Sequence, residues 1–374
     1  MSFLSQIPDE PVYAAIKQAN KDPGTCFVLY GATACAEYIA DKAIDLGVRI
    51  EHVVVDDRYV NSSHIVHFRG MPVQRLTSLK GRKGLHWLIG FYNDDLTETV
   101  ASRMQAIREA GIDVTKVFVM DYALLVRPWR MFDRQFLLEQ ERSLQQTYDL
   151  LGDELSRRTM VAFLDQRVNG AIGPIDEVRV GQQYFGDPVR LGQNEVFMDC
   201  GAYTGDSVLS FVDALRERDI NSYRKVIAFE PDANRWADFK ENTKALTNVE
   251  LVPKGVWSVS TTLNFRVNEE LSSELDPAGT DTVEVAAIDD VLGNDPVTFI
   301  KMDVQGAELE ALKGAQVAIA RHRPTLAICA YHEHRDLIDL PAFIKNIEPG
   351  YELFLRAHRS KSNELVLYAI PPSR

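Results

Sequence analysis

The hydrophobic positions of this chain fall into short solid runs, each followed by a polar turn and a stretch of helical spacing. Val196–Cys200 is apolar except for Asp199 and lies between Asn194 and Gly201, so it reads as a short buried strand. Gly201 and Gly205 bracket a turn, after which Val208, Leu209, Phe211, Val212 and Leu215 recur at helical spacing. Lys225–Glu230 is a second such run and ends in a carboxylate. One crossover helix fits between the two, so the strands are expected to be parallel and adjacent. Val249–Val256, Val297–Asp303 and Pro324–Ala330 continue the series. Leu263–Val267 and Val283–Ala287 alternate as exposed-edge strands do, on either side of a loop at 272–279. Pro341 is placed in the first turn of a helix carrying Phe343, Ile344 and Ile347. Tyr351–Arg356 and Glu364–Tyr368 are separated only by a short polar loop, which forces them to be antiparallel.

The first third repeats the pattern. Cys26–Tyr30 is a strand, Gly31 opens a turn, Ala36, Ile39, Ala40, Ala43 and Ile44 mark a helix, and Ile50–Val55 ends in Asp56 and Asp57. Further strands are read at Trp87–Tyr92 and Val117–Met120. This is the plan of a nucleotide-binding βαβ unit. Thr33 and Ala36, however, stand where a Gly-x-Gly-x-x-Gly turn needs glycine, which favours a packing or partner-presenting role over a nucleotide or nucleotide-sugar pocket. Phe132–Leu164 reads as one or two helices, and Tyr184 and Phe185 lie on a loop where they either cover a ligand or cap the core. The expected division is a Rossmann-like domain at 1–130, a helical connector at 131–193 and a second α/β domain at 194–374.

Composition narrows the function classes. A chain of 374 residues suggests two domains, and 45% apolar with 25% charged residues is ordinary for a globular protein. The net charge of −13, with no Lys/Arg run, disfavours nucleic acid as a partner. The four cysteines lack CxxC spacing and sit in apolar elements, which argues for a reducing, cytoplasmic setting and against a zinc site. Met1–Glu10 does not read as a signal peptide, and no apolar run approaches a membrane span. His64 and His67 read as surface residues, and His86 has no recognisable partner in the sequence.

The chemistry concentrates on the edge where the second series of strands ends. Asp199-x-Gly201-x-x-x-Gly205 differs from a pyrophosphate turn. Its acid would repel a pyrophosphate, and it suits the cationic methionine end of S-adenosylmethionine. Glu230, at the next strand tip, is placed to accept hydrogen bonds from both hydroxyls of a ribose.

With these residues in view, positions about 180–370 resemble the FkbM family of S-adenosylmethionine-dependent methyltransferases. The resemblance rests on Asp199-Cys-Gly-Ala-x-x-Gly205, Phe229-Glu-Pro231, Lys301-Met-Asp-x-x-Gly-Ala-Glu308, Arg323-Pro324 and Tyr331-His332, with Gln305 where the family usually has Glu. It implies a class I methyltransferase sheet, parallel with an antiparallel C-terminal hairpin, preceded by the smaller Rossmann-like domain. It also implies O-methylation of a hydroxyl on a sugar, glycoconjugate or natural-product acceptor. Asp199, Gly201, Tyr203, Gly205, Glu230, Pro231 and Asp303 are then the expected cofactor contacts. An alcohol is a weak nucleophile at neutral pH, so a general base is expected, His332 first and Asp303 second. Tyr184, Tyr331, His334, Arg356 and His358 are expected to face the acceptor. His332 and His334 share a strand face by period and could join Asp303 around a metal, yet hard cations prefer several carboxylates, so no metal is assigned. The alternatives are an oxidoreductase using NAD(P) or a nucleotide sugar in the first domain, and a non-catalytic S-adenosylmethionine-binding protein. The small-molecule or glycan acceptor is the expected partner, and a homo-oligomer is left open.

Overall fold

The structure is a computed structural model that describes residues 2–9, 11–60, 66–91, 99–266, 274–275, 281–360 and 363–372. His64 and most of the expected loop at 272–279 lie outside the described residues. The chain divides into two compact units. The first comprises residues 1–142, 158–180 and 359–363, and the second comprises residues 143–157, 181–358 and 364–374.

In the first unit six strands form one sheet: β1 (Cys26–Tyr30), β2 (Ile50–Val55), β3 (His67–Phe68), β4 (Met71–Arg75), β5 (Leu85–Ile89) and β6 (Lys116–Phe118), in the order β3-β4-β2-β1-β5-β6. All neighbours are parallel except β3 with β4. Along β1 the side chains alternate between two cores. Phe27 and Leu29 pack with Ile39 and Ala43, while Val28 and Tyr30 pack with Met104 and Ile107. A strand buried on both faces must be a continuous apolar run, which is why β1 was legible. Gly31 has φ +120°, and a Cβ there would stand 2.7 Å from the carbonyl oxygen of Gly90. This glycine lets the turns after β1 and β5 touch, which accounts for it by packing.

The second unit is built on seven strands: β7 (Val196–Cys200), β8 (Lys225–Phe229), β9 (Val249–Val252), β14 (Phe299–Met302), β15 (Thr325–Cys329), β16 (Glu352–Ala357) and β17 (Leu365–Ile370). Their order is β16-β17-β15-β14-β7-β8-β9. β7, β8, β9, β14 and β15 are parallel, and β17 pairs antiparallel with both β15 and β16. The short loop after Ala357 thus does what its length requires.

A smaller sheet in the order β10-β13-β11-β12 combines β10 (Gly255–Val256), β11 (Thr261–Arg266), β12 (Glu274–Leu275) and β13 (Asp281–Ala286). The expected single strand Val249–Val256 is therefore two strands in two sheets. Pro253 lies between them and has no N–H to continue a ladder. The alternating segments at 261–266 and 281–286 pair with each other here and do not edge the main sheet.

Pro341 also departs from expectation. The helix runs from Asp336 to Ile347, so the proline lies inside it. It cannot donate to the carbonyl of Leu337, four residues back. The buried hydroxyl of Thr147 donates to that carbonyl instead, at 2.7 Å. Thr147→Val keeps the shape and removes the donor, so unfolding in urea should be easier by about 1–3 kcal/mol. An unchanged midpoint would show that the carbonyl finds another donor.

Candidate active site

Three turns at the C-terminal ends of β7, β8 and β14 build the site. β7 ends at Cys200, and Gly201 follows at φ +84°. A Cβ on Gly201 would lie 2.0 Å from the carbonyl oxygen of Asp303, so only glycine lets the turns after β7 and β14 meet. Gly205, at φ +86°, precedes the helix Asp206–Arg216, whose N-terminus no side chain caps. Its first-turn N–H groups can receive a carboxylate.

Asp199 is fully buried, and strand register sets it beside Lys301, also buried, on β14. The Lys301 ammonium is 3.0 Å from Asp199 Oδ1 and donates to the Gly201 carbonyl at 2.7 Å. Ser207 donates to the other oxygen of Asp199. Burial raises the Asp199 pKa, and Lys301 and Ser207 oppose that rise. For Lys301 burial alone would depress the pKa, and the charges of Asp199 and Asp303 turn it upward. The pair thus holds the turn, and Asp199 acts on it through Lys301.

Glu230 is buried and accepts the N–H of Tyr203 at 2.8 Å and that of Asp232 at 2.8 Å. Burial raises its pKa, and these N–H groups pull it down. A carboxylate has about four acceptor positions, so lone pairs remain for a diol. Tyr203 is exposed, with the Arg235 guanidinium 4.6 Å from its ring centroid, and Pro231, next in the chain after Glu230, is exposed too.

The third group closes around Asp303. His332 Nε2 is 3.6 Å from Asp303 Oδ1, too long for a hydrogen bond, and has no hydrogen-bond partner although it is buried. Its Nδ1 is 2.9 Å from Glu308 Oε1. The Tyr184 hydroxyl donates to Asp303 Oδ2 at 3.3 Å. Burial pushes the Tyr184 pKa well up, so it stays a protonated donor. Burial lowers the His332 pKa, and Glu308 above all, then Asp303 and Asp336, carry it above the usual value. Asp303, Glu308 and His332 have ligand-type atoms within 4.8 Å of one another. Glu308 also accepts the N–H of Val304 and of Gly306, both at 2.9 Å, which leaves it little to offer a metal ion.

The other expected acceptor contacts separate. β15 ends at Cys329, so His332 and His334 share no strand face, and His334 is exposed in the turn that follows. Tyr331 is buried against the His332 ring, at 4.1 Å between centroids. Arg356 is buried, bonded to Asp153 at 2.6 Å and Ser156 at 2.7 Å, and fastens that segment to β16. His358 Nε2 lies 2.9 Å from the hydroxyl of Tyr368, which also accepts the N–H of Tyr184 at 2.8 Å. Of the aromatic pair, Tyr184 reaches the site. Phe185 packs on Phe197, Phe211 and Phe299 and caps the core. Lys301, Ser207 and Glu308 had no assigned role. Lys301 could have been found, because a lysine inside a buried run needs an acid on the next strand.

In the first unit a groove of about 470 Å³ is lined by Tyr30, Asp56, Arg58, Leu76, Arg103 and Ile107, among others. Its acid is bonded to Tyr30 and to Arg103.

Residues 199–353 match the model of the methyltransferase FkbM domain. This segment belongs to the FkbM methyltransferase family. The FkbM domain thus spans the three turns from Asp199 through Glu230 to Asp303 and His332. The chain is also similar to the crystal structure of methyltransferase FkbM from Methylobacillus flagellatus KT. Identity is 23% over 98% of this chain and 97% of that one, with a TM-score of 0.67, which shows the fold. An rRNA methylase from Streptococcus thermophilus aligns at 15% identity over 49% of this chain and 90% of its own, with a TM-score of 0.32. Comparison with curated proteins gives no match. Among the described residues no helix is long and apolar enough to cross a membrane.

Proposed function

We propose that the chain is an S-adenosylmethionine-dependent O-methyltransferase acting on a hydroxyl of a small-molecule or glycan acceptor. The observation that carries this reading is the convergence of the Gly201 turn, the buried Glu230 carboxylate and the unpartnered His332 Nε2 on one sheet edge. The residues suit the cofactor. The uncapped helix after Gly205 suits its carboxylate, Glu230 its ribose hydroxyls, and the Gly201 turn the close approach of its methionine part. When bound, the cofactor supplies an electrophilic methyl group. Asp303 and Tyr184 orient the acceptor hydroxyl. His332 Nε2 takes its proton as the oxygen–carbon bond forms and the carbon–sulfur bond breaks, giving a methyl ether and S-adenosylhomocysteine.

Calorimetric titration of S-adenosylhomocysteine into the full chain tests the first half. Glu230→Ala is expected to weaken binding at least about 100-fold, the low end for the loss of two hydrogen bonds to a charged acceptor. Binding that is absent in the wild type, or equal in the variant, would overturn the cofactor assignment. Transfer of a tritiated methyl group to a panel of sugars and glycosides tests the second half.

A further inference from the structure

We infer that Glu308 is the positioning residue of the methyl-transfer site, fixing the tautomer of His332 so that Nε2 carries the lone pair. This rests on the reading of His332 as the base. The geometry leaves the ring little choice. Glu308 Oε1 is 2.9 Å from Nδ1 and also accepts the Val304 N–H, while Oε2 accepts the Gly306 N–H. The carboxylate side chain is 1% exposed. An ionised carboxylate can only accept, so the neutral ring must present Nδ1–H to it, and the lone pair falls on Nε2. Asp303 cannot do this, since it lies 3.6 Å away and on the Nε2 side. Asp336 holds the other degree of freedom. Its Oδ2 accepts the backbone N–H of both His332 and Glu333, at 2.9 Å each.

One carboxylate therefore does two things. It sets which ring nitrogen is basic, and it ties the ring to the 304–306 turn, which follows Asp303 directly. The turn needs that tie, because Gln305 and Gly306 both have positive φ, +55° and +100°. Base and acceptor-orienting acid are thereby held by the same group.

Glu308→Leu tests this. The side chain is of similar volume and leaves Nδ1 without its carboxylate acceptor. Asp303, on the Nε2 side, is then the carboxylate nearest the ring, and the ring proton moves to Nε2. We expect nitrogen NMR of His332 in the full chain, with the ring neutral, to show a protonated Nδ1 in the wild type and a protonated Nε2 in the variant. With any acceptor that the wild type methylates, kcat should fall 100-fold or more, as loss of a general base implies.

A wild-type ring protonated at Nε2 when neutral would overturn the inference, without any need for the variant to fold. So would an unchanged tautomer in Glu308→Leu, or a kcat within threefold of wild type. The tautomer is read without turnover. A correct tautomer with no methyl transfer to any acceptor would therefore count against the base reading and leave the role of Glu308 in setting the ring intact.

Discussion

Lys301→Met is expected to lower the stability of the second unit by about 3–5 kcal/mol, the usual cost of removing one partner of a buried ion pair. The substitution leaves Asp199 fully buried with only Ser207 beside it. It also removes the 2.7 Å hydrogen bond that holds the Gly201 carbonyl. Two readouts follow. The urea midpoint falls, with the slope preserved, and affinity for S-adenosylhomocysteine falls with it. Lys301→Met combined with Asp199→Asn removes both charges, so stability should largely return while affinity stays low. A single variant that unfolds at the wild-type midpoint would show that the pair does not hold the fold.

His332→Ala is expected to reduce kcat by about 10²–10⁴, the range for loss of a general base. Its pH dependence carries a sign. Glu308, Asp303 and Asp336 hold the imidazole pKa above its ordinary value of 6.5 despite burial. The base form appears only above that raised pKa, so kcat should climb with pH and pass its midpoint above 6.5. Stability runs the other way. The folded state favours the imidazolium, so this contribution is fully present below the ordinary pKa and is lost as pH rises through the raised one. A wild-type acid limb that persists unchanged in His332→Ala would assign the titration to another group.

The central strands β1, β5, β7, β8, β14 and β15 were legible because each is buried on both faces and must be a largely apolar run, whereas the more exposed β3 and β4 carry no such signal. The antiparallel end was legible because a loop of about five residues cannot hold a crossover. What the sequence hides is pairing at a distance. Glu308 and His332 meet from 24 positions apart, and Arg356 finds Asp153 from 203. Nothing local marks either contact. The period argument for His332 and His334 failed at one residue, Cys329, where the strand ends. Asp199 and Lys301 form an intermediate case. Each is a charge inside an apolar run, and parallel register alone brings them together.

The Pro341 helix makes positions 147 and 341 interdependent. A proline at 341 leaves the Leu337 carbonyl to the Thr147 hydroxyl, whereas with any other residue at 341 a threonine at 147 merely competes for a carbonyl already served. Pro341→Ala would therefore free position 147 to vary, and the two sites are expected to show epistasis in a combinatorial library.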